Sequence, residues 1–187
     1  DDDNNENNDD EDDDEDVDDN YNNEIGVPKK LLQLTPTTDF AVIEMGARRP
    51  GDIKKLCQIA LPNVAVCLNV GSAHLGIFGS RKKLLSTKLE IFTNTPALHE
   101  KIILADDKKL LKEALLKHDN FVTFGYDKKS SIYIHSVKRQ GEHCGLSFSL
   151  LQNGKNNLQI VTTDNHETMP LNCAAAAASA LALAASR

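Results

Sequence analysis

The chain has 187 residues and a formal net charge of −7 that is very unevenly distributed along it. Residues 1–19 hold 14 of the 28 acidic residues and no basic ones, so residues 20–187 carry a net charge of +7. This length suits one domain of ordinary size. A mildly basic body fits a polyanionic small molecule such as a nucleotide, and it fits a bland solvated surface equally well.

Cysteine usage and hydropathy exclude several classes of protein. The chain has four cysteines, Cys57, Cys67, Cys144 and Cys173. They have no CxxC or CxxH spacing, which argues against a zinc site and against a small disulfide scaffold. No apolar stretch reaches the ~20 residues of a membrane helix, and the N-terminus is acidic where a secretion signal would be basic and then apolar. We therefore expect a soluble, cytoplasmic protein with no membrane insertion. A nucleic-acid partner is not expected either.

Residues 1–19 are almost purely Asp, Asn and Glu, with Val17 as the single apolar side chain. Such a segment cannot offset the entropy cost of ordering, so it is predicted to be a disordered acidic tail. Two interpretations stay open at this point. The tail is either solvated and inert or an acidic arm for a basic partner.

From Ile25 the pattern changes to alternating apolar strands and amphipathic helices. A short helix is expected near Pro28, whose fixed φ suits a first helical turn. Residues 40–44 (FAVIE) form a short apolar run that predicts a strand buried on both faces. A helix is predicted at 51–60, with the apolar side chains Ile53, Leu56, Cys57 and Ile59 towards the sheet.

The following elements continue the alternation with short connections. They are a strand at 63–70, a helix at 81–92, a strand at 101–104, a helix at 108–117 and a strand at 120–124. This order predicts right-handed crossovers and an α/β fold, with a doubly wound, mainly parallel sheet flanked by helices.

After Gly125 three closely spaced alternating runs replace the β-α pattern, at 131–137, 145–151 and 157–163. Turn residues such as Asn153-Gly154 join them, which predicts a separate, small, three-stranded antiparallel sheet. Residues 172–186 are rich in Ala and predict a helix with a small-residue surface that packs closely on the sheet.

Four motifs carry the strongest functional signal: YNNEIGVP at 21–28, AVIEMGARRPGDI at 41–53, LNVGSAHLGIFGS at 68–80 and TKLEIF at 87–92. In this order they resemble the ATP-binding central domain of the Mur ligases. The closest type adds D-alanyl-D-alanine to the UDP-muramoyl-tripeptide of peptidoglycan. The resemblance extends over residues 20–187. It implies ATP and Mg²⁺ as cofactors and those two peptidoglycan precursors as substrates.

Glu44 is the last residue of the predicted strand 40–44 and His74 follows the predicted strand 63–70, and the carboxyl ends of strands are where an α/β sheet presents side chains to a ligand. From the residues alone, Glu44 is either a structural ion-pair partner or a ligand of Mg²⁺, since hard cations select carboxylate oxygens. His74 is either an ordinary hydrogen-bonded histidine or a metal ligand. The resemblance implies that Glu44 binds one magnesium ion and that His74 binds a second.

Lys88 lies in STKLEIF on the predicted helix 81–92, close to Glu90. The sequence pattern by itself is typical of a solvated lysine. The resemblance implies that Lys88 is carbamylated by carbon dioxide, which converts the cation into an anionic oxygen ligand for the second magnesium ion. His74 and Lys88 would then be the catalytic residues, acting through the metal.

Three asparagines are the expected contacts to the nucleotide. Asn22 and Asn23 resemble the family's loop at the ATP crevice, although Asn also favours turns for purely local reasons. Asn172 resembles the Asn of a His-Asn-x-x-Asn pattern that contacts adenine. Leu171 and Ala175 depart from that pattern.

Other departures concern catalytic competence. No GxxxxGK[ST] loop occurs in the chain, so no backbone nest and no P-loop lysine are supplied for phosphates. Leu104 and Met169 also replace residues that the family usually has as Asn and Gly. We therefore expect part of a Mur-type ligase that is inactive alone, or alternatively a non-catalytic Mur-like interaction module with an acidic arm.

Overall fold

One mixed β-sheet runs through the part of the chain that a computed structural model describes, residues 21–71, 75–93, 98–141 and 144–185. Its strands follow one another in chain order and are β1 (Val64–Cys67), β2 (Glu100–Leu104), β3 (Phe121–Gly125), β4 (Ile132–Gln140), β5 (Cys144–Gln152) and β6 (Lys155–Val161). Strands β1 to β4 are parallel, and β4 to β6 are antiparallel. The predicted α/β class, mainly parallel with an antiparallel part, is confirmed.

Helices cover both faces of this sheet. In chain order they are α1 (Gly26–Leu31), α2 (Asp52–Ala60), α3 (Leu75–Phe78), α4 (Arg81–Lys88), which continues as a 3₁₀ turn (Leu89–Phe92), α5 (Lys108–Leu115) and α6 (Met169–Ala185). Within the described ranges, none of these helices is both long enough and apolar enough to cross a membrane.

Two apolar clusters hold the helices against the sheet. On one face, leucines of α4 and α5 and Phe92 of the 3₁₀ turn pack with Cys67 and Ile103. On the other face, Ala174 and Ala178 of α6 pack on Phe124 and the antiparallel strands. The small side chains let α6 approach the strands closely, as the Ala-rich composition predicted.

The antiparallel strands are continuous with the parallel sheet and do not form a separate one. Phe124 pairs with Ile132 and Gly125 with Tyr133, and the same two residues of β4 pair with β5 on their other side, so β4 links the parallel strands to the antiparallel ones. The prediction of a separate sheet was wrong because alternation of apolar residues identifies strands but does not identify their neighbours.

The prediction of a buried strand at residues 40–44 was also wrong. This segment has no strand structure, and Phe40 and Val42 are 53% and 96% exposed. The residues that follow this segment do contact the rest of the protein: the Met45 sulfur lies 3.8 Å from the Cys57 thiol, and Ala47 packs against the core. A five-residue apolar run lacks the length to fix its conformation, and burial on both faces requires neighbours that the described residues do not provide.

A smaller correction concerns α2. Ile53, Leu56 and Cys57 are buried as predicted, but Ile59 is 46% exposed. At 100° per residue, Ile59 lies about 240° around the helix from Ile53 and therefore off the buried stripe.

Candidate functional site

A cleft opens at the carboxyl ends of the parallel strands β1, β2 and β3, beside the N-terminus of α6. Its walls, which we call the strand-end cleft, are formed by Leu68, Asn69, Leu104, Phe124, Thr168, Leu171 and Asn172. Because parallel strands all end at the same edge of the sheet, the loops that follow them surround this cleft. Open α/β sheets bind ligands at that edge. Its volume is about 130 Å³.

Asn172 is the predicted site residue that the structure places in this cleft. Its backbone N–H donates to the Thr168 carbonyl at 3.0 Å, which fixes it in the first turn of α6. It lines the same cleft as Asn69, which is the second residue after the end of β1. Leu104 and Leu171, two of the departures from the family pattern, form apolar parts of the wall.

Asn22 and Glu44 form a second group of predicted site residues. The Asn22 Nδ2 amide donates to Glu44 Oε1 at 2.9 Å, and the Gly46 N–H donates to the Asn22 carbonyl at 2.7 Å. A Cβ on Gly46 would lie 2.8 Å from Asn22 Oδ1, so glycine permits this close approach. The first motif is thus bound directly to the second, with Glu44 remaining exposed.

Asn23 has a local structural contact. Its Oδ1 accepts the backbone N–H groups of Ile25 at 3.0 Å and Gly26 at 2.9 Å, which stabilises the turn into α1. Of this side chain, only the Nδ2 hydrogen-bond donor is left for a ligand. A nucleotide contact from Asn23 stays a prediction.

Lys88 is the last residue of α4 and is half-buried near the end of β1. Burial raises the pKa of the Cys67 thiol to about 12, the Lys88 ammonium acts in the opposite direction, and the Asp107 carboxylate adds to the rise. The Lys88 ammonium therefore interacts electrostatically with Cys67, the last residue of β1, at the edge of the sheet where the strand-end cleft opens.

The metal-binding roles expected for Glu44, His74 and Lys88 require these residues to meet at one crevice, and that convergence stays a prediction. His74 lies outside the described residues, and so does Asn20. Within the described ranges, no hydrogen bond or ion pair joins Glu44 to Lys88, and no group of three His, Cys, Asp or Glu side chains could hold a metal ion. Glu44 nevertheless fits a magnesium ligand chemically, because its exposed carboxylate uses one oxygen for Asn22 and keeps lone pairs for a cation.

Asp107 connects three elements at this edge, a role that the sequence pattern did not predict. Its Oδ1 accepts the Leu110 N–H at 3.1 Å as the N-cap of α5. Its Oδ2 lies 3.5 Å from Arg81 Nη2 at the start of α4 and accepts the Val70 N–H at 3.4 Å. An Asp before a helical pattern signals an N-cap, but nothing in the sequence indicates the other two partners.

Glu90 was also missed, and it caps α2 from a distance of 36 to 39 residues in sequence. Its Oε1 accepts the Gly51 N–H at 2.8 Å and its Oε2 accepts the Lys54 N–H at 3.1 Å. Gly51 is the N-cap residue and has no side chain to do this itself. The carboxylate of the TKLEIF motif therefore orients the helix that follows the Glu44 loop.

Replacing Glu90 by Ala is expected to lower the free energy of unfolding by about 2 kcal/mol, because two helix N–H groups lose a charged acceptor. For a chain of this size that corresponds to a melting temperature lower by roughly 4–8 °C. Circular dichroism melts measure it. Glu113→Ala is the matched control, since the Glu113 carboxylate forms no hydrogen bond or ion pair within the described part of the chain. Equal melting temperatures for the two variants would contradict the capping role.

Comparison with known proteins identifies the family. Residues 7–180 match the Mur ligase middle domain, which is most of the chain. The chain belongs to the Mur ligase family. A UDP-N-acetylmuramoyl-tripeptide–D-alanyl-D-alanine ligase of Synechocystis sp. is 43% identical over 95 residues, covering 51% of this chain and 21% of the relative. The ligase of that name from Rickettsia prowazekii is 33% identical over 135 residues, covering 69% and 30%.

Solved structures agree with this assignment. MurF from Acinetobacter baumannii superposes with a TM-score of 0.76 at 28% identity, over 88% of this chain and 36% of that one. MurF ligase from Thermotoga maritima in complex with ADP gives a TM-score of 0.71 at 31% identity, over 86% and 37%. This Mur ligase family member thus spans between about a fifth and two fifths of these four relatives.

Proposed function

We propose that this chain is the ATP-binding central part of a cytoplasmic ligase that joins D-alanyl-D-alanine to UDP-muramoyl-tripeptide, with Mg²⁺ as cofactor. The observation that carries the proposal is the strand-end cleft, with Asn172 in its wall, in a fold that superposes on MurF structures. One of those relatives is a complex with ADP. A nucleotide is the ligand class that the cleft and the family have in common.

The strand-end cleft suits the base of that nucleotide. Its volume of about 130 Å³ is below the ~300–1,000 Å³ of a site for a whole drug-sized ligand, so it accommodates one moiety. Asn69, Thr168 and Asn172 offer amide and hydroxyl groups for the edge of a heteroaromatic ring. Leu68, which is exposed, and Leu171, which is half-buried, offer apolar surface for its faces.

The phosphate end of the nucleotide would lie towards the Asn22–Glu44 pair. Bound Mg²⁺ would neutralise charge that develops on the transferred phosphoryl group. Glu44 would hold it through a carboxylate oxygen, while the Asn22 amide fixes the orientation of that carboxylate. His74 and Lys88 are proposed for a second ion, Lys88 after carbamylation of its amine.

The overall reaction proposed for the ligase has two bond-forming steps. The terminal carboxylate of the tripeptide attacks the γ-phosphorus of ATP, which gives an acyl phosphate and ADP. The amine of D-alanyl-D-alanine then attacks the acyl carbon, and the amide forms as inorganic phosphate leaves and the proton of the amine passes to phosphate or solvent. In this scheme the chain contributes binding and orientation, and none of its residues has to act as a general base.

Titration of the chain with adenosine, followed by amide chemical shifts in NMR, tests the placement of the base. Shifts are expected at Asn69, Thr168 and Asn172, with none at Gln159 of β6 as an internal reference. Asn172→Ala should abolish the saturable part of these shifts. Shifts spread evenly over the chain, or a response unaffected by that substitution, would contradict the assignment of the cleft.

A non-catalytic Mur-like module is the second candidate, favoured by Leu104 and Leu171, which line the cleft at positions where the family usually has Asn and His. A chimera separates the two. Residues 21–185 replace the matching region of A. baumannii MurF, and phosphate release is measured with both peptidoglycan substrates. The ligase proposal expects release that needs both substrates and falls by at least about 10²-fold in Glu44→Gln. A folded chimera without release supports the module.

A further inference from the structure

A second cleft of about 370 Å³ lies between the loop that precedes α1 and the N-terminal half of α2. Three cationic side chains, Arg48, Arg49 and Lys55, line it together with Glu24 and Asp52. We call this the basic cleft. All three cationic residues are exposed, and its size and polar lining differ from those of the strand-end cleft.

Two acidic side chains near the basic cleft, those of Asp52 and Glu90, are already bonded to the backbone. Asp52 Oδ2 accepts the N–H groups of Arg48 at 3.0 Å and Arg49 at 2.7 Å. The Glu90 carboxylate is taken by the N-terminus of α2. Within the described residues, no ion pair involves the side chains of Arg48, Arg49 or Lys55. The three cations therefore outnumber the two acidic side chains that line the cleft, Glu24 and Asp52, and the Asp52 carboxylate is already bonded to the backbone.

More positive charge lies where the acidic segment joins the body. The ammonium groups of Lys29 and Lys30 lie 5.1 and 5.7 Å from the centre of the Tyr21 ring. Tyr21 is separated from residues 1–19 by a single residue. Glu24, only three residues after Tyr21, lines the basic cleft, so the attachment point lies within about 10–11 Å of chain length from it.

We propose that residues 1–19 fold back on their own chain, with their carboxylates in the basic cleft around Arg48, Arg49 and Lys55. Charge complementarity supports this occupant, since the segment has 14 carboxylates and no cation. A short tether gives an effective concentration in the ~mM range, which favours it over free anions. Single exposed ion pairs are weak, so the contact depends on several at once and on low salt. The inference is independent of the proposed function.

Zero-length carbodiimide cross-linking of the full chain, followed by mass spectrometry, tests this contact. The reagent joins carboxylates to lysine ammonium groups, and residues 1–19 contain no lysine. At 0.15 M salt we expect links from this segment to Lys54 and Lys55, beside the basic cleft, to be at least about five times as abundant as links to Lys112 and Lys155. At 1 M salt the excess should vanish, because the screening length falls from about 8 to 3 Å.

A pair of charge-reversal variants provides the matched control. R48E/R49E removes cations of the basic cleft but leaves both acceptor lysines in place, whereas K138E/R139E makes the same change in charge on exposed residues of β4. The first should lower the Lys54 and Lys55 links at least about fivefold, and the second should not. Equal effects of the two variants, equal labelling of distant lysines, or links between isotopically distinct chains would overturn the proposal. The salt titration of the unmodified chain decides the matter even if a variant does not fold.

Discussion

Calorimetric titration of this chain with Mg-ATP is expected to give a dissociation constant in the millimolar range or no measurable heat. The 187 residues contain no GxxxxGK[ST] loop, and therefore neither its backbone N–H donors nor its lysine are available to the phosphates. Charge-assisted hydrogen bonds contribute roughly 1.5–3 kcal/mol each. Losing two of them costs about two to four decades in affinity.

The acidic segment, residues 1–19, is also expected to lower the affinity for Mg-ATP. The fourteen carboxylates of this segment repel a nearby nucleoside triphosphate, although salt screens the repulsion beyond about 8–10 Å. A variant with Asn and Gln in place of the Asp and Glu of residues 1–19 is the control. It should gain at most about tenfold in affinity at 0.15 M salt and nothing at 1 M. A micromolar dissociation constant for the unmodified chain at physiological salt would show that other groups replace the missing loop.

Substituting Gly145 by Ala should destabilise the protein strongly, although it adds a single methyl group. Gly145 lies in β5, and a Cβ on it would overlap the carbonyl of Thr162, which belongs to the backbone and cannot rotate away. The neighbouring contact would also be disturbed, since the Thr162 N–H donates to the Leu146 carbonyl at 2.8 Å. We expect a loss of about 3 kcal/mol or more in the free energy of unfolding.

Urea unfolding and thermal melts measure this loss, which corresponds to a melting temperature lower by roughly 6–12 °C. Gly76→Ala is the matched control, because within the described residues no atom beyond its chain neighbours and its own helix backbone lies within 4 Å of the position of its Cβ. That variant should stay within about 0.5 kcal/mol of the original chain, or gain slightly from the higher helix propensity of Ala. A Gly145→Ala protein as stable as this control would show that the strands around Thr162 can separate at little cost.

Agreement between the sequence-based predictions and the structure differs from element to element. Long periodic patterns were interpreted correctly: Leu84, Leu85, Leu89 and Phe92 are all buried, as their stripe on one helix predicted. The short run at 40–44 was interpreted wrongly. Its apolar residues are compatible with a buried strand or with an exposed loop, and only the segments that surround it in the fold decide between the two. Alternation likewise predicted β4, β5 and β6, but it did not predict that Phe124 and Ile132 join them to the parallel sheet.

The sequence by itself determined the family, the order of helices and strands, and the identity of Glu44, Lys88 and Asn172 as candidate site residues. These follow from local periodicity and from motifs, both of which are written in consecutive residues. Only the tertiary structure decided which distant groups meet: Asn22 with Glu44, Glu90 with the start of α2, and Asp107 with three separate elements. The physical reason is that a carboxylate accepts any N–H that the folded chain brings within about 3 Å, and local sequence does not encode which one arrives.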